Sequence, residues 1–138
     1  MSVSHSKITL IKNAIHNPNE PRHFMTLTHL EGEFCLSVGG QSIAKSERVL
    51  AMHEVAHIII DPVNYFPQND VNWDYLRENS NSSHCPLKGD ARYFDFHDGD
   101  KVIENIAWSY PAPISVASSI RGYVAFDSRL SLCKQTEA

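Results

Sequence analysis

The strongest constraint on the fold is a tight-turn signal between two runs of β-forming residues. Residues 91–96 (Ala-Arg-Tyr-Phe-Asp-Phe) are rich in aromatic side chains, and residues 101–108 (Lys-Val-Ile-Glu-Asn-Ile-Ala-Trp) contain several β-branched ones. The pair Asp98-Gly99 lies between them, and Asp-Gly is favoured in two-residue hairpin turns because both central positions need positive φ. The pattern therefore predicts an antiparallel β-hairpin over residues 91–108.

A second hairpin is predicted earlier in the chain. Residues 34–38 (Phe-Cys-Leu-Ser-Val) lead into Gly39-Gly40, and residues 41–44 lead out of it. Glycine supplies the positive φ angles of a tight turn at no steric cost. Residues 123–126 (Tyr-Val-Ala-Phe) predict a further strand. These signals favour a β-rich domain.

Short helices and a polar loop are predicted around these strands. Residues 69–76 begin with capping residues and place apolar side chains on one helical face, which predicts a short helix. Residues 78–83 (Glu-Asn-Ser-Asn-Ser-Ser) are predicted to form a polar loop. Residues 114–120 predict a second short helix, which Gly122 would end.

The chain of 138 residues has the length of one domain. We assign residues 1–30 to an N-terminal extension, residues 31–129 to a single β-rich domain and residues 130–138 to a C-terminal tail. Within the extension, residues 8–11 (Ile-Thr-Leu-Ile) predict a short strand, and a proline-containing segment interrupts regular structure after it.

Composition and charge argue against several function classes. The net charge is −4 and the basic residues are scattered, so no nucleic-acid surface is predicted. No apolar run approaches the roughly 18–20 residues that span a bilayer, and the first residues lack the pattern of a signal peptide. Three widely spaced cysteines argue against a disulfide framework or a structural zinc site. We expect a cytoplasmic protein without nucleic-acid or membrane partners; the sequence leaves a homodimer open.

The segment His53-Glu54-Val55-Ala56-His57 matches His-Glu-x-x-His, the zinc-binding pattern of metalloproteases. That chemistry needs a helix, on which both imidazoles reach one ion while the glutamate activates water. Here the segment continues into a β-branched run that favours a strand. On a strand the two histidines would lie roughly 13 Å apart. We therefore expect no metal, and a zinc hydrolase is the least favoured alternative.

The candidate reactive groups are concentrated in residues 83–90 (Ser-His-Cys-Pro-Leu-Lys-Gly-Asp). Cys85 is a candidate nucleophile, and Lys88 offers a point charge for a phosphate or a carboxylate. A cation beside the sulfur would favour the reactive thiolate. His84 is a candidate for ligand binding. The structural alternative is that Cys85 is a small buried hydrophobe, Lys88 is solvated and His84 caps a turn.

Three aromatic residues, Tyr93, Trp108 and Tyr110, offer flat surfaces with polar tips. In one interpretation they form the wall of a binding cleft, where Trp108 shields the site and Tyr110 donates a hydrogen bond. In the other they form an aromatic mini-core between a hairpin and a helix. Pocket walls are often core aromatics seen from outside, so the two interpretations are compatible.

Four segments together resemble the domain of unknown function 427 family, a group of small, mainly bacterial proteins. They are residues 65–71 (Tyr-Phe-Pro-Gln-Asn-Asp-Val), 83–93 (Ser-His-Cys-Pro-Leu-Lys-Gly-Asp-Ala-Arg-Tyr), 107–113 (Ala-Trp-Ser-Tyr-Pro-Ala-Pro) and 122–126 (Gly-Tyr-Val-Ala-Phe). The resemblance covers about residues 32–127 and implies curved strands with a cavity near the His-Cys-Pro-x-Lys-Gly segment. It implies no established reaction. Some relatives carry a nucleotidyltransferase-type label, but this chain has neither a glycine-rich phosphate loop nor closely paired magnesium carboxylates.

Taken together, we expect a mainly β fold, α+β at the margin: a small curved antiparallel sheet or barrel-like domain built from hairpins, with one or two short helices. We expect it to bind a small polar or anionic metabolite, and in an enzymatic version to transform it, with no metal and an unknown cofactor. The alternative is a protein-interaction or structural module without catalysis. The catalytic candidates are Cys85, Lys88 and Tyr110; the ligand-binding candidates are His84, Tyr93, Trp108 and Glu54.

Overall fold

The computed structural model describes residues 13–135, so the strand predicted at residues 8–11 lies outside the described residues. The strands are β1 (Ile15–Asn17), β2 (Glu20–His29), β3 (Phe34–Val38), β4 (Gln41–Ser46), β5 (Leu50–Val55), β6 (Ile59–Pro67), β7 (Leu76–Cys85), β8 (Gly89–Asp98), β9 (Lys101–Ser109), β10 (Tyr123–Phe126) and β11 (Cys133–Lys134). Three short 3-10 helices join them: Gln68–Asp70, Trp73–Tyr75 and Ser115–Ile120. Within residues 13–135, no helix is long and apolar enough to cross a membrane.

The strands form two antiparallel sheets. The main sheet has eight strands in the order β1-β2-β5-β6-β10-β9-β8-β7, and the smaller sheet has three in the order β11-β3-β4. The main sheet curves into a half-barrel. Because of that curvature, the turn between β7 and β8 comes within hydrogen-bond distance of β5, although three strands separate β8 from β5 in the sheet order. The predicted mainly β, curved antiparallel fold is confirmed.

Both predicted hairpins form. β8 and β9 pair from Asp98–Lys101 inward, and Gly99 in their turn has a φ of 59°. β3 and β4 pair from Val38–Gln41 inward around two glycines of positive φ. Local turn chemistry thus sets the register of each pair.

The predictions for three segments outside the hairpins need correction. The helix predicted at residues 69–76 is absent: two 3-10 turns occupy most of this stretch, and β7 begins at Leu76. The loop predicted at residues 78–83 is part of β7. Its polar side chains fit because β7 is an edge strand, and a bulge after Glu78 interrupts its pairing with β8. The short helix predicted at residues 114–120 is a 3-10 helix over Ser115–Ile120.

Both terminal segments contribute strands that the sequence prediction missed. β2 falls within the assigned N-terminal extension, yet it pairs with β5 from Phe24–Val55 to His29–Leu50. β11 falls within the assigned C-terminal tail and pairs with β3. The boundary placed at residue 30 therefore follows a strand that belongs to the main sheet.

Two hydrophobic cores lie on opposite faces of the main sheet, because successive residues of a strand point to opposite sides. Tyr65 and Phe66 are neighbours on β6, and they belong to different cores. The first core lies between the two sheets and includes Leu36, Val49, Phe66, Phe96 and Phe126. The second core includes Met25, Met52, Tyr65, Leu87 and Ile120.

Candidate functional site

The second core contains a buried ion pair. Lys88, in the turn between β7 and β8, donates from Nζ to Oε1 of Glu54 at 2.5 Å. Only 7% of Lys88 and 8% of Glu54 is exposed. The ammonium also lies 3.8 Å from Sδ of Met52 and 5.6 Å from the ring centre of Tyr110. Two opposite charges are thus held together among apolar and aromatic side chains.

His23, on β2, extends this pair into a three-residue network. Its Nε2 lies 2.7 Å from Oε2 of Glu54. The Asn17 Oδ1 accepts from the backbone N–H of Asn19 at 3.0 Å, so the Asn17 amide nitrogen faces Nδ1 of His23, at 3.3 Å. Nδ1 therefore accepts, and the ring proton lies on Nε2 and is donated to Glu54. The network is Asn17–His23–Glu54–Lys88.

Glu54 is held as a carboxylate. Burial alone acts to raise its pKa, but the charge of Lys88 and the hydrogen bonds from His23 and Lys88 outweigh that effect, and the pKa is lowered. Both oxygens of the carboxylate accept a hydrogen bond, one from each partner. The buried site therefore contains a carboxylate that receives a proton donor on either side.

Cys85, the last residue of β7, adjoins this network. Its Sγ, a ring nitrogen of His23 and a carboxylate oxygen of Glu54 all lie within 4.8 Å of one another. Nitrogen, oxygen and sulfur donors at such distances are within reach of one zinc ion. In this structure, however, Lys88 supplies the positive charge beside Glu54, and the Nε2 proton of His23 points at the carboxylate. The expected absence of a metal stays a prediction.

Two tyrosines, Tyr65 and Tyr110, belong to the second core, and Cys85 packs against that core. Burial raises the pKa of Tyr65 well above its usual value, and Tyr110, Glu54 and Cys85 add to the effect. Burial, followed by the nearby Cys85, likewise raises the pKa of Tyr110. The neighbouring Trp108 partly offsets both shifts. Both phenols keep their protons at neutral pH, so they act as hydrogen-bond donors.

A cleft of about 440 Å³ opens over this network. His23 belongs both to the network and to the cleft wall, and Pro86 in the wall directly follows Cys85. The wall is rich in groups that can donate hydrogen bonds, and its carboxylate, Glu20, is already paired with Arg22 at 2.9 Å. Hydrogen bonds from Arg22 lower the pKa of Glu20 to about 2. The lining residues are Asn17, Glu20, Arg22, His23, Ala56, His57 and Pro86.

The structure brings most of the predicted site residues together. Glu54 and Lys88 belong to the network, and Cys85 adjoins it. Tyr110 belongs to the second core, and Trp108 packs against that core. Tyr93 lies at their border: its ring centre is 6.3 Å from that of Trp108, and its hydroxyl is 2.7 Å from Oγ of Ser83.

His84 does not belong to this site. It precedes Cys85 on β7, so its side chain points to the other side of the strand. There it is exposed and lies 2.7 Å from a carboxylate oxygen of Asp90. His84 instead lines a second cleft of about 480 Å³ with Arg92 and Pro111 among its other residues. His84 therefore lies away from the Cys85 network, and its predicted role in ligand binding stays a prediction.

The strand prediction for the His-Glu-x-x-His segment is confirmed. Residues 53–55 belong to β5, and a turn closes with the Ala56 N–H donating to the Ile58 carbonyl. His53 is exposed on the side of β5 opposite to Glu54, and His57 lies beyond the end of the strand. The helix that would place both histidines on one ion does not form here.

Sequence reasoning missed His23, Asn17, Arg22 and Tyr65. Three of these lie on β1 and β2, in the segment assigned to an extension, where no motif marked them. On β2, His23 lies two residues before the buried Met25, so both point to the same side of the strand. That alternation could have indicated an inward-facing histidine. The sequence marks Tyr65 only as part of a segment, residues 65–71, that resembles the family.

Residues 26–136 match a protein-family model that is described as a domain of unknown function (DUF427). The match spans more than half of the 138 residues and includes Glu54, Cys85, Lys88 and Tyr110. No curated protein matches the chain.

Proposed function

We propose that this chain, which belongs to the domain of unknown function 427 family, binds a small anionic metabolite in the cleft beside Cys85. The observation that carries the proposal is that His23 belongs both to the wall of this cleft and to the His23–Glu54–Lys88 network. A buried ion pair commonly contributes little or nothing to stability compared with apolar packing. A charged network at the base of a cleft is therefore a better indication of a ligand site than of a structural element.

The charge of the cleft favours an anion. Arg22, His23, His57 and the amide of Asn17 line it, and Glu20 occupies the guanidinium of Arg22 in this structure. A ligand carboxylate or phosphate can take the place of Glu20, because the planar guanidinium binds either group with two parallel hydrogen bonds. We therefore assign the anionic group of the ligand to the Arg22 side of the cleft.

The size of the cleft favours a metabolite over a polymer. Ligand sites occupy roughly 300–1,000 Å³, and the cleft, at about 440 Å³, is near the lower end of that range.

The free state of Cys35, Cys85 and Cys133 supports a reducing compartment, and we infer the bacterial cytoplasm.

Thermal unfolding in the presence of small anions tests this proposal. Phosphate, malonate and citrate are compared with chloride at the same ionic strength. A ligand that binds only the folded chain at one hundred times its Kd stabilises it by about 2.7 kcal/mol. We expect at least one of the three anions to raise the melting temperature above the chloride control.

Matched substitutions in the two clefts show which cleft binds the anion. His57→Gln and His84→Gln make the same chemical change in the two clefts. We expect His57→Gln and Arg22→Gln to reduce the anion-dependent shift and His84→Gln to leave it unchanged. A shift that only His84→Gln reduces would move the site to the second cleft. No shift with any anion would overturn the proposal and favour an interaction module.

A further inference from the structure

The Cys85 thiol is a candidate nucleophile that lies beside the wall of the proposed anion-binding cleft. It is partly exposed at the end of β7, and Pro86 beside it lines the cleft. A ring nitrogen of His23, also in the cleft wall, is within 4.8 Å of the sulfur. The thiol therefore lies next to two residues of the cleft wall, His23 and Pro86.

Tyr110 supplies the donor. Tyr110 belongs to the second core and Cys85 packs against that core, so the phenol and the thiol lie on the same side of the main sheet, and the thiol is one of the groups that raise the pKa of the phenol. Burial raises the pKa of Tyr110, so the phenol keeps its proton at neutral pH. The O–H of Tyr110 remains to donate to a group beside the sulfur. Lys88 lies 5.6 Å from the same ring and adds positive charge.

We propose that Cys85 is the nucleophile of an acyl-transfer reaction and that the Tyr110 hydroxyl stabilises the oxyanion. This inference rests on the proposed function, because it uses the same cleft, and it narrows the substrate to an ester or thioester of a small acid that carries an anionic group. A neutral donor fixed beside the attacked carbonyl oxygen is the arrangement that stabilises a tetrahedral intermediate.

The step balances without a further reactant. The Cys85 sulfur forms a bond to the acyl carbon, and the electron pair of the carbonyl moves to its oxygen, where Tyr110 donates a hydrogen bond. The carbonyl re-forms as the bond from carbon to the leaving oxygen or sulfur breaks, and the proton lost by the thiol ends on that leaving atom. Water then cleaves the thioester to release the acid and the free thiol.

Two reagents separate this role from ordinary thiol reactivity. p-Nitrophenyl acetate acetylates a thiol through an oxyanion, whereas iodoacetamide alkylates it without one. Peptide mass spectrometry of the full chain follows Cys85 and Cys133 in the same sample, and Cys133 is the more exposed of the two. We expect Cys85 to be acetylated before Cys133, although exposure alone would give the reverse order.

The Tyr110→Phe variant is the decisive comparison. Loss of one oxyanion donor should slow acetylation of Cys85 by roughly 10²-fold, while alkylation by iodoacetamide keeps its rate. Earlier acetylation of Cys133, or equal slowing of both reagents, would overturn the inference. A melting temperature of Tyr110→Phe close to that of the natural chain shows that the fold is intact. Tyr75→Phe, which removes a phenol hydroxyl that bonds Gln41 outside the site, serves as the matched control.

A third measurement separates this inference from the proposed function. Cys85→Ser removes the nucleophile and leaves the Arg22 side of the cleft intact. If anions still raise the melting temperature of Cys85→Ser and the natural chain shows no preferred acetylation of Cys85, the binding site stands and acyl transfer is rejected. If anions raise the melting temperature of neither chain, the proposed function fails first.

Discussion

The two cores of the main sheet differ in what they bury. The first core, between the sheets, is built from apolar side chains such as Leu36, Phe66 and Phe96, with Phe66 and Phe126 packed edge to face. The second core surrounds the two buried charges of residues 13–135, those of Lys88 and Glu54. One face of the sheet is therefore packed for stability alone, and the other carries groups that stability does not require.

The difference has an energetic meaning. Apolar burial contributes roughly 25 cal/mol per Å², whereas removing a charge from water costs several kcal/mol that an ion pair regains only with good geometry. The Glu54–Lys88–His23 contacts have that geometry, at 2.5 and 2.7 Å. The second core is thus stable as a complete network and vulnerable when one member is removed.

The largest expected effect comes from breaking the pair. Lys88→Met leaves the Glu54 carboxylate buried beside apolar groups, and we expect a loss of about 3–5 kcal/mol in the free energy of unfolding. The double variant Lys88→Met/Glu54→Gln should recover most of that loss, because the neutral amide can still accept from His23. Urea unfolding measures both.

The first core provides the contrast for this experiment. Phe96→Ala should cost a similar amount, about 3–5 kcal/mol, because it creates a cavity, and its loss should add to that of Lys88→Met. If the double variant at Lys88 and Glu54 is as unstable as Lys88→Met alone, the charge argument is wrong and Lys88 matters for its volume.

The second effect tests the turn that holds Lys88. Gly89 has a φ of 117°, and a Cβ there would lie 3.3 Å from Ala112 O, Ile114 N and Pro113 Cα. Gly89→Ala therefore adds crowding to backbone strain, and we expect a loss of about 1–3 kcal/mol by urea unfolding. Gly40→Ala, in the hairpin over the first core, has open space around its Cβ and should lose less. Equal losses would show that the close approach is unimportant.

The sequence predicted those parts of the fold that depend on neighbouring residues. The Gly39-Gly40 and Asp98-Gly99 pairs specify turns locally, so both hairpins were predicted. β7 was missed because an exposed edge strand has no apolar face to create a period-two pattern. β2 was missed because the strand that it pairs with, β5, begins more than twenty residues later.

The candidate site shows the same difference between features that neighbouring residues determine and features that depend on strand pairing. Cys85, Lys88 and Tyr110 were found because their residue types carry chemistry wherever they lie. His23 was missed because its partner Glu54 lies 31 residues away, and only pairing of β2 with β5 joins them. His84 and Cys85 are neighbours in the sequence, and only the assignment of β7 as a strand shows that their side chains point to opposite sides.

A smaller effect is expected in acid. The pKa of Glu54 is lowered only by the amount by which the attraction of Lys88 exceeds the effect of burial. Protonation of Glu54 should therefore reduce the free energy of unfolding by less than the removal of Lys88 does. Because the folded pKa is below the usual 4.5, this contribution is complete above about pH 4.5 and is lost as the pH falls through the folded pKa. Urea unfolding between pH 7 and pH 3 should show this loss in the natural chain and a smaller one in Lys88→Met/Glu54→Gln. Parallel pH profiles would contradict the assignment.

The smallest effect is expected on the other side of β7. His84 and Asp90 face each other across β7 and β8, but 66% and 84% of their side chains are exposed. Exposed ion pairs contribute roughly 0.2–1 kcal/mol, so His84→Ala should change the free energy of unfolding by no more than that. It should also leave the anion-dependent shift unchanged, since His84 lines the second cleft. Cys85→Ala, one residue further along the strand, should instead abolish acetylation at the site. A large loss of stability in His84→Ala would mean that both sides of this strand end support the network, and the contrast between them would disappear.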